Sequence, residues 1–102
     1  MKEKDLNRVI EECAEVIQAA TKILRFGLNG SYPDGRTNID VLIQECGDVL
    51  ACIDKLHLPE EKIDEARYAK HRKLRKIEPY ECGINSDLTK ELHRITNFNN
   101  KE

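Results

Sequence analysis

The sequence predicts an all-α fold, an antiparallel helical bundle completed by dimerisation. Three observations carry the prediction. Charged residues make up 35% of the 102 positions and aromatic residues only 5%, with no tryptophan, a profile that suits charged helices around an aliphatic core and not a β-sandwich. Apolar residues recur at alternating spacings of three and four, the helical period. No stretch alternates apolar and polar residues as a half-buried strand does. At this length the chain forms one domain with a modest core, so helices of a second copy are expected to close the bundle.

The first helix is expected over residues 3–26. Its apolar stripe is Leu6, Ile10, Cys13, Ile17, Ala20 and Leu24. Gly27 opens a stretch rich in chain breakers that runs to about Arg36 and includes Tyr32-Pro33-Asp34-Gly35. Loops of this length between helices often carry function. Thr37-Asn38-Ile39-Asp40 matches a capping box and starts the second helix, with the stripe Ile39, Leu42, Cys46, Val49, Ile53 and Leu56. Pro59 restarts the chain into a third helix, where Glu60 and Glu61 suit the positive end of the dipole. Glu78-Pro79 stops it after Ile77, and Lys73, Arg75 and Lys76 lie in its last turn. A short helix is expected from Ser86, followed by an Asn-rich tail. Residues 1–80 form the main helical part, and 81–102 add this helix and tail to the same domain.

The formal charge of −2 excludes a global field for nucleic acid, so any preference for phosphate must be built locally. No apolar run reaches the roughly 18–20 residues of a membrane span. The opening Met-Lys-Glu-Lys-Asp does not resemble a signal peptide. Cys13, Cys46, Cys52 and Cys82 form no C-x-x-C pair, so zinc spacing and redox motifs are missing and reduced thiols are expected. Together these point to the cytoplasm, that of the host for a viral protein.

Chemistry concentrates in two acid pairs, Glu12-x-x-Glu15 and Glu45-x-x-Asp48. Residues three apart share a helix face. At roughly 100° per residue, Glu12 lies within about 100° of the stripe centre, on the side of Val16 and Ile23. Glu15 is one step further out, and Glu11 falls opposite and is solvated. Glu45 shares its azimuth with Val41, Cys52 and Leu56, at the core edge, with Asp48 beside it. Glu61 and Asp64 repeat the spacing but face away from the third helix's stripe of Ile63, Ala66, Leu74 and Ile77, so spacing alone selects nothing. Antiparallel packing brings the first two pairs to similar depths. At an effective dielectric near 20, two carboxylates about 6 Å apart repel by about 3 kcal/mol. The cluster therefore needs protons, a Lys or Arg, or a cation. An all-oxygen cage suits Mg²⁺, with Mn²⁺ as a substitute. No Glu has a His three residues later, so a di-iron site is excluded. Lys70 sits within the third helix's stripe, flanked by Arg67 and Lys73. It is either a lysine snorkelling at the bundle edge or a ligand for phosphate. A metal-binding acid cluster facing a basic strip describes a site for a metal-bound polyphosphate.

These motifs resemble the signature of the all-α nucleoside triphosphate pyrophosphatases, the MazG-like enzymes and dimeric dUTPases. The match extends to Glu11-Glu12-Cys13-Ala14-Glu15-Val16, to Glu45-Cys46-Gly47-Asp48-Val49-Leu50 and to Lys70-x-x-Lys73-Leu74. The loop Tyr32-Pro33-Asp34-Gly35-Arg36-Thr37-Asn38 is similar to that of short MazG-like proteins of phages and bacteria. The resemblance covers residues 5–78. It implies a homodimer or dimer of dimers that hydrolyses a nucleoside triphosphate to the monophosphate and pyrophosphate, in nucleotide-pool house-cleaning. Glu12, Glu15, Glu45 and Asp48 would hold Mg²⁺, and Glu12 or Glu15 would act on the attacking water. Lys70, Lys73 and Arg67 would meet the phosphates. Asn38 would meet the sugar or base, or serve only as a cap. Two readings compete. One is a non-catalytic helical dimer whose acids are solvated or pair with Arg8, Lys22 and Lys70. The other is a nucleic-acid surface along Lys70–Lys76, disfavoured by the acidic balance and the lack of interleaved aromatics.

Overall fold

The computed structural model describes residues 1–77. The short helix expected from Ser86, and residues 81–102 as a whole, lie outside the described residues. The described part is all-helical: α1 spans Glu3–Phe26, α2 Asn38–Asp54 and α3 Glu60–Ile77. The chain divides into two units. The first, Met1–Leu58, holds α1, α2 and their connecting loop; the second begins at Pro59 and holds α3.

α1 and α2 form an antiparallel hairpin. The Asn38 side chain at the start of α2 reaches the Gly27 carbonyl just past the end of α1. Further along, carboxylate oxygens of Glu45 and Asp48 meet that of Glu12. Gly27 ends α1 with φ +84°, a backbone conformation that glycine adopts without a Cβ penalty, and its N–H donates to the Ile23 carbonyl at 2.8 Å.

The loop is tightly folded. The Gly35 N–H donates to the Tyr32 carbonyl at 2.9 Å, closing a turn with Pro33 in its second position. Tyr32 N–H donates to the Arg36 carbonyl at 2.8 Å, beside a single antiparallel bridge between Ser31 and Thr37. The start of α2 is satisfied by its neighbours. Asn38 N–H donates to the Gly30 carbonyl at 2.7 Å and Ile39 N–H to that of Leu28 at 3.1 Å. The predicted capping box is present: Asp40 N–H donates to Thr37 Oγ1, and the Asp40 carboxylate accepts from Thr37 N–H. Hydrogen bonding to the Asp40 carboxyl, by the Thr37 hydroxyl first and the Thr37 N–H second, holds it below its ordinary value.

The core of the hairpin is small: Ala19, Ile23, Leu28, Ile39 and Val41 are buried. Here the structure corrects the sequence reading. The row of α1 turned toward α2 is Val9, Glu12, Val16, Ala19 and Ile23, not the stripe centred on Ile10 and Cys13. Ile10, Ile17 and Leu24 are 66%, 67% and 78% exposed, and Cys13 is exposed with them. The physical reason is that α1 carries two adjacent apolar rows. The hairpin buries the one with smaller side chains, where Ala19 allows α2 close, and leaves the richer one outside. On α2, Ile43, Cys46 and Leu50 are likewise exposed. In antiparallel helices, a rotation of the same sense from the shared interface carries both rows to one flank of the hairpin.

α3 follows its expected bounds. Pro59 precedes it, and its carbonyl accepts from the N–H groups of Lys62 and Ile63. Among its stripe residues only Ile63 is partly buried; Lys70 is exposed, as are Leu74 and Ile77.

The cap at Thr37 yields a test. Thr37→Ala removes the acceptor for Asp40 N–H and is expected to cost about 1 kcal/mol, the usual value of an N-cap side chain. Urea unfolding at fixed protein concentration measures it; an unchanged midpoint would show that the loop carbonyls alone hold the start of α2.

Candidate metal centre

Three of the four predicted acids come together. Glu12 from α1 and Glu45 and Asp48 from α2 each offer a carboxylate oxygen, and these oxygens lie within 4.8 Å of one another. All three side chains are half-buried between the helices. The local cause is simple. Glu12 interrupts the row Val9, Val16, Ala19 and Ile23, and Glu45 and Asp48 interrupt the row Val41 and Cys52, so helix packing forces acids against acids.

Glu15 lies one turn beyond Glu12, is exposed, and stands outside the group of three. It leans outward because α1 is rotated toward α2 about the Glu12 row. Its charge still acts on the cluster. Burial pushes the Glu45 carboxyl above its ordinary value, and the charges of Asp48, Glu15 and Glu12 push it further; the Arg36 guanidinium opposes them. The site thus disfavours the negative charge of Glu45.

No described Lys or Arg forms an ion pair with any of the four acids. Arg8 pairs with Asp5 at 4.0 Å. Lys22 lies over the Tyr32 ring at 4.1 Å. Arg36 is held by Asp34 at 2.8 Å and by the Gln44 side-chain carbonyl at 3.0 Å. The competing assignment of Arg8 and Lys22 as partners of the acids is therefore not what the hairpin adopts. An all-carboxylate set at this spacing fits a hard divalent cation, which takes oxygen ligands and cancels the mutual repulsion.

The other predicted residues are placed as follows. Asn38 is buried at 5% exposure, and its Nδ2 donates to the Gly27 carbonyl at 2.9 Å. The cap of α2 is Thr37, so Asn38 is free of that duty. Arg67, Lys70 and Lys73 are exposed on α3, in the second unit, where Arg67 pairs with Asp64 at 4.0 Å. Sequence reasoning missed Arg36. The signal was Asp34-x-Arg36, a pattern in which the carboxylate can anchor the guanidinium in place within a short turn.

Compared with known proteins, the chain matches no family model, no curated protein and no solved structure.

The raised Glu45 pKa has a sign that can be tested. An acid whose folded pKa is raised stabilises the fold when protonated, and that contribution is lost as pH rises from the ordinary value of 4.5 through the folded one. The Asp34 carboxyl, lowered by its bonds to Arg36, and the lowered Asp40 carboxyl act oppositely but below 3.8, outside this window. Without divalent ions, the melting temperature is expected to fall as pH rises above 4.5, and Mg²⁺ is expected to reverse the fall. Glu45→Gln should flatten both responses; a wild-type profile in that variant would remove Glu45 from the cluster.

Proposed function

We propose that this chain is a Mg²⁺-dependent nucleoside triphosphate pyrophosphohydrolase of the MazG-like, all-α type. The carrying observation is the convergence of Glu12, Glu45 and Asp48 within 4.8 Å at a half-buried position, with no ion pair to a described Lys or Arg. Carboxylates so arranged favour a divalent ion over their own mutual company. The order of the motifs and their sequence context supply the substrate class.

On this reading Glu12, Glu45 and Asp48 hold Mg²⁺, with Mn²⁺ as a substitute. A bound ion supplies Lewis acidity toward phosphoryl oxygens. Glu15, exposed at the rim, takes the proton of the attacking water, with Glu12 as the second candidate for that task. The water oxygen bonds to the α-phosphorus, and the bond from that phosphorus to the bridging oxygen of the β-phosphate breaks. The products are the nucleoside monophosphate and pyrophosphate. Cations stabilise the charge that builds on the leaving pyrophosphate. The setting is cytoplasmic; no helix among the described residues is long and apolar enough to cross a membrane.

A homodimer completes the fold. The flank carrying Ile10, Cys13, Ile17 and Leu24 with Ile43, Cys46 and Leu50 is too rich in exposed apolar side chains for a free hairpin. Burying it against a second copy removes that surface from water without touching the acids. Ile17→Glu is expected to lower the molar mass measured by light scattering, or to shift the dimer to higher concentration by at least tenfold. An unchanged mass would assign that flank to another role.

The activity test is direct. Incubation with Mg²⁺ and a panel of ribo- and deoxyribonucleoside triphosphates should release pyrophosphate, and chelation should stop it. Glu45→Gln should lower turnover by more than a hundredfold while keeping the helical circular dichroism, in line with the loss of a group that supports a metal. No pyrophosphate from any nucleotide would sink the enzyme reading and leave a non-catalytic helical dimer.

A further inference from the structure

α3 carries a face that the acid cluster does not use. Tyr68, 62% exposed, stands near the middle of the helix. At roughly 100° per residue, six ionisable residues fall within about 60° of its azimuth. Glu61, Asp64 and Glu65 lie on its N-terminal side, and His71, Arg72 and Arg75 on its C-terminal side; all are exposed. The apolar stripe of Ile63, Ala66, Leu74 and Ile77 lies across the helix from them. Glu61 and Asp64, whose spacing selects nothing as a metal site, are thus part of one pole of a face whose other pole is basic.

The poles are symmetric about Tyr68. Glu61 and Arg75 are each seven residues from it, Glu65 and Arg72 three and four, Asp64 and His71 four and three. A second α3, antiparallel and related by a two-fold axis beside Tyr68, therefore brings acids level with bases. Glu61 meets Arg75 of the second copy, Glu65 meets its Arg72 and Asp64 meets its His71. The lateral offsets agree as well. A two-fold axis perpendicular to the plane of the two helices leaves unchanged the side to which a residue leans. Glu65 and Arg72 lean about 60° and about 40° to one side of Tyr68, Asp64 and His71 about 40° and about 60° to the other, and Glu61 and Arg75 stay within about 20°. Each pair is made twice. Parallel pairing would instead set acid on acid and base on base.

These side chains are available for such contacts. Among the described residues Glu61, Arg72 and Arg75 form no ion pair, while Asp64 reaches Arg67 at 4.0 Å and Glu65 reaches Lys62 at 3.7 Å, both on the exposed surface. His71 offers an N–H donor in either protonation state. No residue of α3 is buried.

We propose that the Tyr68 face of α3 is a self-complementary docking surface whose partner is the same face of a second copy, antiparallel, with Tyr68 on Tyr68 at its centre. Exposed ion pairs are individually weak and one pair of helices is a small contact, so the association is weak and is lost at high salt. What the charges supply is orientation. The surface is separate from the aliphatic flank of the hairpin, which belongs to the other unit, and does not rest on the pyrophosphohydrolase reading.

Charge reversal tests it in the full-length protein, by sedimentation equilibrium at low and high salt, with circular dichroism as the check on helix content. The wild type is expected to show an association step that weakens with salt and survives Ile17→Glu. Glu65→Lys and Arg72→Glu, each alone, set like charges opposite one another and should weaken that step about tenfold. An equimolar mixture of the two, or both reversals in one chain, sets opposite charges together again and should restore it. The proposal is overturned by a wild type without a salt-sensitive step, by single variants that associate as the wild type does, or by a mixture and a double variant no better than the singles. It is also overturned if the wild type does not self-associate and Glu65→Lys binds a single-stranded oligonucleotide more tightly than the wild type, which assigns the basic pole to a polyanion.

Discussion

Everything in the hairpin depends on the register between α1 and α2, and that register is set at the loop. The Asn38 amide grips the Gly27 carbonyl, while the N–H groups of Asn38 and Ile39 use the carbonyls of Gly30 and Leu28. These bonds satisfy the open end of α2 and tie it to the end of α1 at once. With the loop end fixed, the depth at which any α2 residue meets α1 is fixed too. Glu45 and Asp48 arrive opposite Glu12 because nothing at the loop allows them to slide. A half-turn slip would relieve the repulsion among the acids and would break the buried amide contact in exchange. The fold thus imposes an electrostatic cost at one place by satisfying hydrogen bonds at another.

Local features of the fold were legible in the sequence because they are written in short-range chemistry. Gly27, the Thr37–Asp40 box and Pro59 mark boundaries by backbone requirements that neighbours a few residues away decide. The helices begin and end where those residues place them. The acid pairs were legible for the same reason: an ionisable residue inside an apolar row is visible on a wheel. The rotation of α1 was not. Two adjacent apolar rows compete for one partner, and composition favours the one with Ile10, Ile17 and Leu24, while packing favours the one with Ala19. That choice depends on how closely the backbones approach, which no single helix encodes. Glu15 moved outward with it. The placement of Arg36 was invisible for a different reason, since it arises from the path of an irregular loop.

The hairpin ends up with two unlike flanks. One carries Lys22, Arg36 and Gln44 beside the acids, and is polar and held by specific contacts. The other is aliphatic, with Cys13 and Cys46 exposed among its side chains. The acids and the aliphatic row therefore lie on different flanks of the hairpin.

Gly30 shows how little separates fold from site. It lies in an irregular segment where substitutions are ordinarily tolerated, and its backbone angle makes no special demand. A single methyl group there would nonetheless collide with the amide that sets the register. The position is constrained from the outside, by what its neighbours need to occupy. In a set of random variants of this chain, position 30 should therefore behave as a core position does, although it is found in a loop.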